Sequence, residues 1–123
     1  MLKNGGGAIV NTSSVAGHIG LAGASVYIGT KHAVEGLTKA AALEFGKQGI
    51  RINAVAPAVI ETDMVDRFAG KEGPMREYLA SLHPIGRTGQ TREISDVVLF
   101  LCSDGASFMT GESVKVDGGL TAQ

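Results

Sequence analysis

Apolar and polar positions change period several times along the chain, and each change marks an element. Ala8 to Thr12, "AIVNT", is short, β-branched and largely apolar, with Gly5-Gly6-Gly7 before it and a Ser/Gly segment after it. That predicts a buried parallel strand. From Ser25 to Gly46 the period lengthens. Val34, Leu37, Ala41 and Phe45 recur at three- and four-residue spacing, Glu35, Lys39 and Glu44 fall off that stripe, and Gly46 supplies a stop. The expected element is a long helix whose small residues (Ala33, Gly36, Ala40, Ala41, Ala42) let another backbone come close. "RINAVA", Arg51 to Ala56, reads as a second buried strand ended by Pro57. Thr62 to Leu82 holds two weaker helical patterns split by Gly70, Gly73 and Pro74. A further helix is expected from Thr91, as N-cap, through Val97, Val98 and Leu101 to Ser103. "SVKVD", Ser113 to Asp117, alternates and predicts a third strand before Gly118-Gly119. Strand, helix, strand, helices, strand is the order of an α/β fold with a parallel sheet. Its first strand would be an unprotected edge.

Composition narrows the class. At 123 residues, 44% hydrophobic and 19% charged, the chain is expected to pack as one domain. A net charge of -1 lacks the electrostatic footprint of a nucleic-acid binder. No apolar stretch approaches the ~18 residues of a membrane span. "MLKNGGG" does not resemble a signal peptide, so a reducing, cytoplasmic setting is expected. Cys102, the one cysteine, lies in an apolar run and reads as a small buried hydrophobe. His18, His32 and His83 show no metal-ligand spacing with it or with the carboxylates, so no metal is expected. Asp117 reads as a strand terminus and not as a catalytic acid.

The candidate chemistry lies in "SSVAGHIGLAGASVYIGTK", Ser13 to Lys31. Tyr27 and Lys31 are four apart at the start of a helix, so their side chains emerge on one face. A free tyrosine, with a pKa near ~10, is a poor acid or base at neutral pH. A neighbouring ammonium favours its phenolate and brings it toward the working range. Ser14 lies just past the first strand, and ligands bind at the carboxyl ends of strands in such sheets. Its hydroxyl can hold a substrate oxygen while the tyrosine passes a proton. The set suits proton transfer to an alcohol or carbonyl oxygen, and no His/Asp pair is placed to make Ser14 an acyl-transfer nucleophile.

Several motifs then occur in order: "GGGAIVNTSSVAG", "YIGTKHAVEGLTKAAALEFGKQGIRINAVAP", "VIETDM", "PIGRTGQTREISDVVLFLCSD" and "MTGESVKVDGG". Together, from Gly5 to Gly119, they resemble the C-terminal half of a short-chain dehydrogenase/reductase. The resemblance implies a single partial Rossmann-type domain over 1–123, the catalytic half of a parallel sheet with flanking helices, its N-terminal half absent. It implies NAD or NADP as cofactor and a small alcohol or carbonyl as substrate. Ser14 would orient the substrate oxygen, Tyr27 would donate or accept the proton, and Lys31 would hold the nicotinamide ribose. "PAVIET", Pro57 to Thr62, matches the family's cofactor-orienting loop. Pro57, Ala58, Ile60 and Thr62 would line the nicotinamide, through backbone groups at Ile60 and the hydroxyl of Thr62. Ala58 departs from the family's glycine, and would cost on the order of 1 kcal/mol if φ must be positive there.

The family's glycine-rich phosphate turn has no match: neither Gly-x-Gly-x-x-Gly nor Thr-Gly-x-x-x-Gly-x-Gly occurs. Gly17, Gly20 and Gly23 have the wrong spacing and read as loop flexibility beside the substrate. Residues 62–83 match the substrate lid in position, with Met64 and Phe68 as candidate contacts; His18 is a third candidate in the loop after Ser14. Met75, Tyr78 and Leu82 could meet substrate or pack a helix pair. Within the family, the alternative branch is a sugar-nucleotide epimerase or dehydratase, against which the short tail ending in "VDGGL" argues. Outside catalysis, the alternative is a truncated association module. In the family the long helix pairs with its twin in a second subunit, so a homo-oligomer through the helix near Tyr27 is expected.

Overall fold

The computed structural model describes residues 1–122. Three parallel strands form one sheet in the order β1-β2-β3: β1 Gly7–Thr12, β2 Ile50–Pro57 and β3 Ser113–Val116. Between them lie α1 Ser25–Phe45, α2 Asp63–Ala69, α3 Pro74–Ser81 and α4 Thr91–Cys102. Gly7 to Thr12 pair with Ile50 to Val55, and Ala54 to Pro57 with Ser113 to Val116. The expected elements are present, and the two interrupted patterns after Thr62 are separate helices.

β2 carries the core. Ile52, Asn53, Ala54, Val55 and Ala56 are all buried, because both faces of this central strand are covered. Ile50 and Ile52 pack on Ala42 of α1, with Ala41 and Phe45 against them. Arg51, pointing to the opposite face, donates to the carbonyls of Leu101 (2.8 Å) and Ser103 (3.0 Å). A guanidinium there satisfies carbonyls that the end of α4 leaves without helical partners. Buried Asn53 donates to the Met109 carbonyl and accepts from the Glu112 N–H, fixing the approach to β3. β1 is an edge of the sheet, as expected.

Three expectations about individual positions are corrected. Glu35 is buried at 5% exposure and Leu37 is 64% exposed, so the face of α1 pressed most deeply on the sheet is offset from the expected apolar stripe, of which Ala41 and Phe45 pack at the rim. Glu35, Thr38 and Ala42 form that face. Leu37, Ala41 and Phe45 instead border a groove beside the open edge of β1, with Ile9 and Ile52. Cys102 is exposed: Leu101 takes the buried position, and the next residue of a helix turns about 100° away from it. Helix α4 is capped by Gln90, not Thr91. Its backbone carbonyl accepts the N–H of Glu93 at 3.0 Å, and the Glu93 carboxylate accepts the Gln90 N–H at 2.7 Å. Arg87 grips the same carboxylate at 2.6 and 2.9 Å. These bonds hold the Glu93 carboxyl well below its usual range, down to about 2. No helix among the described residues is long and apolar enough to cross a membrane.

Candidate active site

The carboxyl ends of β1 and β2 lie side by side, and Ser14 and Lys31 are both anchored there. Ser13 continues the ladder through its N–H to the Val55 carbonyl (2.8 Å), which places Ser14 beside Pro57. Ser14 caps a short 3-10 turn over Val15–Gly17: its hydroxyl oxygen accepts the Ala16 N–H (3.1 Å) and its proton points to the Pro57 carbonyl (3.4 Å). Lys31 reaches back from α1 and donates to the Thr12 carbonyl at 3.1 Å. One turn earlier, Tyr27 is half exposed, its ring centre 5.7 Å from the Lys31 nitrogen. Ser14 and Lys31 are thus tied to the ends of neighbouring strands, and Tyr27 lies beside Lys31 in the first turn of α1.

The loop after β2 forms the adjoining wall. Ala58 donates its N–H to Val116 (3.3 Å), and Ile60 makes an isolated parallel bridge with Gly89. That bridge uses the N–H of Glu61 and the carbonyl of Val59, so Ile60 presents its own N–H and carbonyl on the opposite side. The carbonyl receives the Thr62 hydroxyl at 3.2 Å. No residue other than glycine has a positive φ among the described residues, so Ala58 fits this loop without strain. Beside it, burial opposes the charge of Asp117. The hydroxyl and N–H of Thr121 and the N–H of Gly119 outweigh that cost and hold its carboxyl below the usual range. Asp117 ends the strand and caps the following turn.

His18 is drawn elsewhere. Ser113 donates to Glu35 Oε1 at 2.9 Å, and His18 Nε2 lies 3.1 Å from the Ser113 hydroxyl and 3.3 Å from the same carboxylate oxygen. With the serine proton committed to Glu35, His18 Nε2 is the donor. Gly17 is buried, and a Cβ there would come within 2.9 Å of Glu35 Cγ and Ser13 Oγ and 3.0 Å of the Lys31 carbonyl. It serves close contact between the serine loop and α1, which corrects the reading of Gly17 as flexible; Gly20 and Gly23 do have open space around them. Met64 and Phe68 share an exposed face of α2, next to the one that buries Val65 and Ala69. His32 bonds its own helix at Ile28, and His83 is buried against the Leu79 carbonyl.

The sequence reading missed Glu35. Its signal was position: Tyr27, Lys31 and Glu35 fall at four-residue intervals on one face of α1.

A family model described as enoyl-(acyl carrier protein) reductase matches residues 1–121. The chain belongs to the short-chain dehydrogenase/reductase family. Among curated members, it is 51% identical to a cyclohexanol dehydrogenase from Acinetobacter sp., over 100% of this chain and 47% of that protein. It is 42% identical to the 3-oxoacyl-[acyl-carrier-protein] reductase FabG of Staphylococcus aureus, over 98% and 48%. Of solved structures in the family, ElxO with NADP bound superposes with a TM-score of 0.92 at 40% identity, covering 100% of this chain and 50% of that one. A gluconate 5-dehydrogenase from Burkholderia cenocepacia, in complex with NADP and tartrate, gives 0.92 at 33%, covering 99% and 48%. The chain spans about half the length of the relatives it matches, and its sheet is an α/β, Rossmann-like portion of theirs.

Proposed function

We propose that this chain carries the reacting part of an NAD(P)-dependent oxidoreductase that interconverts a small alcohol and its carbonyl. The observation that carries the reading is the junction at the strand ends: Ser14 against Pro57, Lys31 against Thr12, and Tyr27 one turn from Lys31. The donor set suits a nicotinamide riboside. Lys31 offers ammonium protons to ribose hydroxyls, Ile60 an unspent N–H to the carboxamide, and Thr62 a hydroxyl on the same side. That structural neighbours were solved with NADP supports the cofactor class. When bound, the nicotinamide supplies or accepts hydride at C4.

In reduction, Ser14 holds the carbonyl oxygen, and Tyr27 gives that oxygen its proton as hydride reaches the carbon. In oxidation, Tyr27 takes the proton back. The nearby Lys31 ammonium stabilises the negative charge left on the phenolic oxygen. Residues 62–83 act as the lid, with Met64 and Phe68 meeting the apolar part of the substrate. The network of His18 with Glu35 and Ser113 favours an anchoring role for that histidine, holding the serine loop. The exposed Val26, Leu37 and Leu43 on α1 favour pairing of this helix with another chain.

The test is reduction of cyclohexanone by this chain with NADH or NADPH, followed by loss of reduced-nicotinamide absorbance. Turnover that falls by at least about 100-fold in Tyr27→Phe supports the reading. Equal turnover in the variant would sink it.

A further inference from the structure

Outside the reacting groups, one junction joins four segments. Arg76 of α3 donates from Nη1 to Glu61 Oε2 (2.7 Å), from Nη2 to Asp66 Oδ1 of α2, and from Nε to the Gly70 carbonyl (2.7 Å). Glu61 uses its other oxygen to accept the Thr88 hydroxyl, while its N–H bonds the Gly89 carbonyl at 2.8 Å. The Arg76 side chain is only 12% exposed. Each of the three guanidinium nitrogens therefore donates a hydrogen bond, in the fixed fork that makes arginine hard to replace.

The position of Glu61 gives this junction its meaning. It lies between Ile60 and Thr62, the two residues proposed to face the nicotinamide, and its side chain leaves the loop on the lid side. We infer that Arg76 is a positioning residue that locks the lid helices α2 and α3 to the cofactor-facing loop, so that the two move as one body. The coupling is direct. Any outward swing of α3 must either pull on Glu61 or break the fork. Loss of the guanidinium would also leave the carboxylates of Glu61 and Asp66 around a site with no cation, which drives the loop and α2 apart. The functional meaning of this lock rests on the oxidoreductase reading; the lock itself does not.

Hydrogen exchange of this chain, read by NMR without cofactor, tests it at two bonded amides, Glu61 (to Gly89) and Gly89 (to Val59). In Arg76→Met, exchange at both is expected to rise at least tenfold, with β2 amides at wild-type rates. Glu61→Gln should raise exchange at Gly89, and Arg76→Lys should restore part of the protection. A purely local role for Arg76 would loosen residues 63–82 alone. Wild-type rates at Glu61 and Gly89 in Arg76→Met overturn the inference, as does a wild-type rate at Gly89 in Glu61→Gln. If Arg76→Met loosens the whole chain, Glu61→Gln decides. A separate addition of NADPH to the wild-type chain probes the cofactor reading: no change at residues 57–62 counts against that reading and leaves the lock standing on the variants.

Discussion

The Lys31 ammonium lies 5.7 Å from the centre of the Tyr27 ring, held there by its bond to the Thr12 carbonyl. The strand thus positions the lysine, and the lysine sets its ammonium beside the tyrosine ring. Lys31→Ala is expected to leave stability within about 1 kcal/mol of wild type, since the carbonyl it releases can turn to water. Affinity for reduced nicotinamide should fall roughly 10- to 100-fold, the value of a hydrogen bond to a charged group. Thermal unfolding and a fluorescence titration read the two effects separately.

Gly17→Ala should destabilise the chain by about 1–3 kcal/mol, the usual penalty for overpacking. The added Cβ would clash with Glu35 Cγ, Ser13 Oγ and the Lys31 carbonyl and force them apart. Urea unfolding measures the loss. Gly20→Ala, where space is open, serves as the comparison and should stay near wild type.

Removing the buried carboxylate should cost more than altering it. Glu35→Ala strips the acceptor from both His18 and Ser113, and is expected to lose about 2–4 kcal/mol. Glu35→Gln keeps an acceptor oxygen for the serine and should lose less than half as much. The difference appears in denaturant midpoints measured under one set of conditions.

The cap of α4 carries a pH signature. A carboxyl whose folded pKa lies below its unfolded value stabilises the fold above the unfolded value and loses that contribution as pH falls through the folded one. For Glu93 the window runs from 4.5 down to about 2. The Gln90 amide, bonded to Glu93, should therefore stay protected at pH 4 and lose protection as pH nears 2. In Glu93→Ala the protection should be absent at every pH.

Local pattern carried the elements well, because strand and helix periods and glycine stops are written in neighbouring residues. It failed where a partner lies far along the chain. Glu35 looked like a solvent-facing residue of α1, since nothing near it announces that Ser113 and His18 will bond one of its oxygens. Gln90 is a weak N-cap by type, and the better signal was Glu93 three residues on. The nearness of Tyr27 to Lys31 and the place of Ser14 after β1 were legible because helix spacing and strand ends are local facts. Arg76 and Glu61, fifteen residues apart and joined only in the folded chain, leave no such trace.

The proposed nicotinamide-riboside site consists of Tyr27, Lys31 and the loop from Pro57 to Thr62. Titration of this chain with reduced nicotinamide mononucleotide, followed by NMR, tests it most directly, because that probe contains only the part these residues would meet. The prediction is saturable shifts centred on Tyr27, Lys31, Ile60 and Thr62, weakened in Lys31→Ala. No shift at those residues with millimolar probe, or the largest shifts elsewhere on the chain, would contradict it.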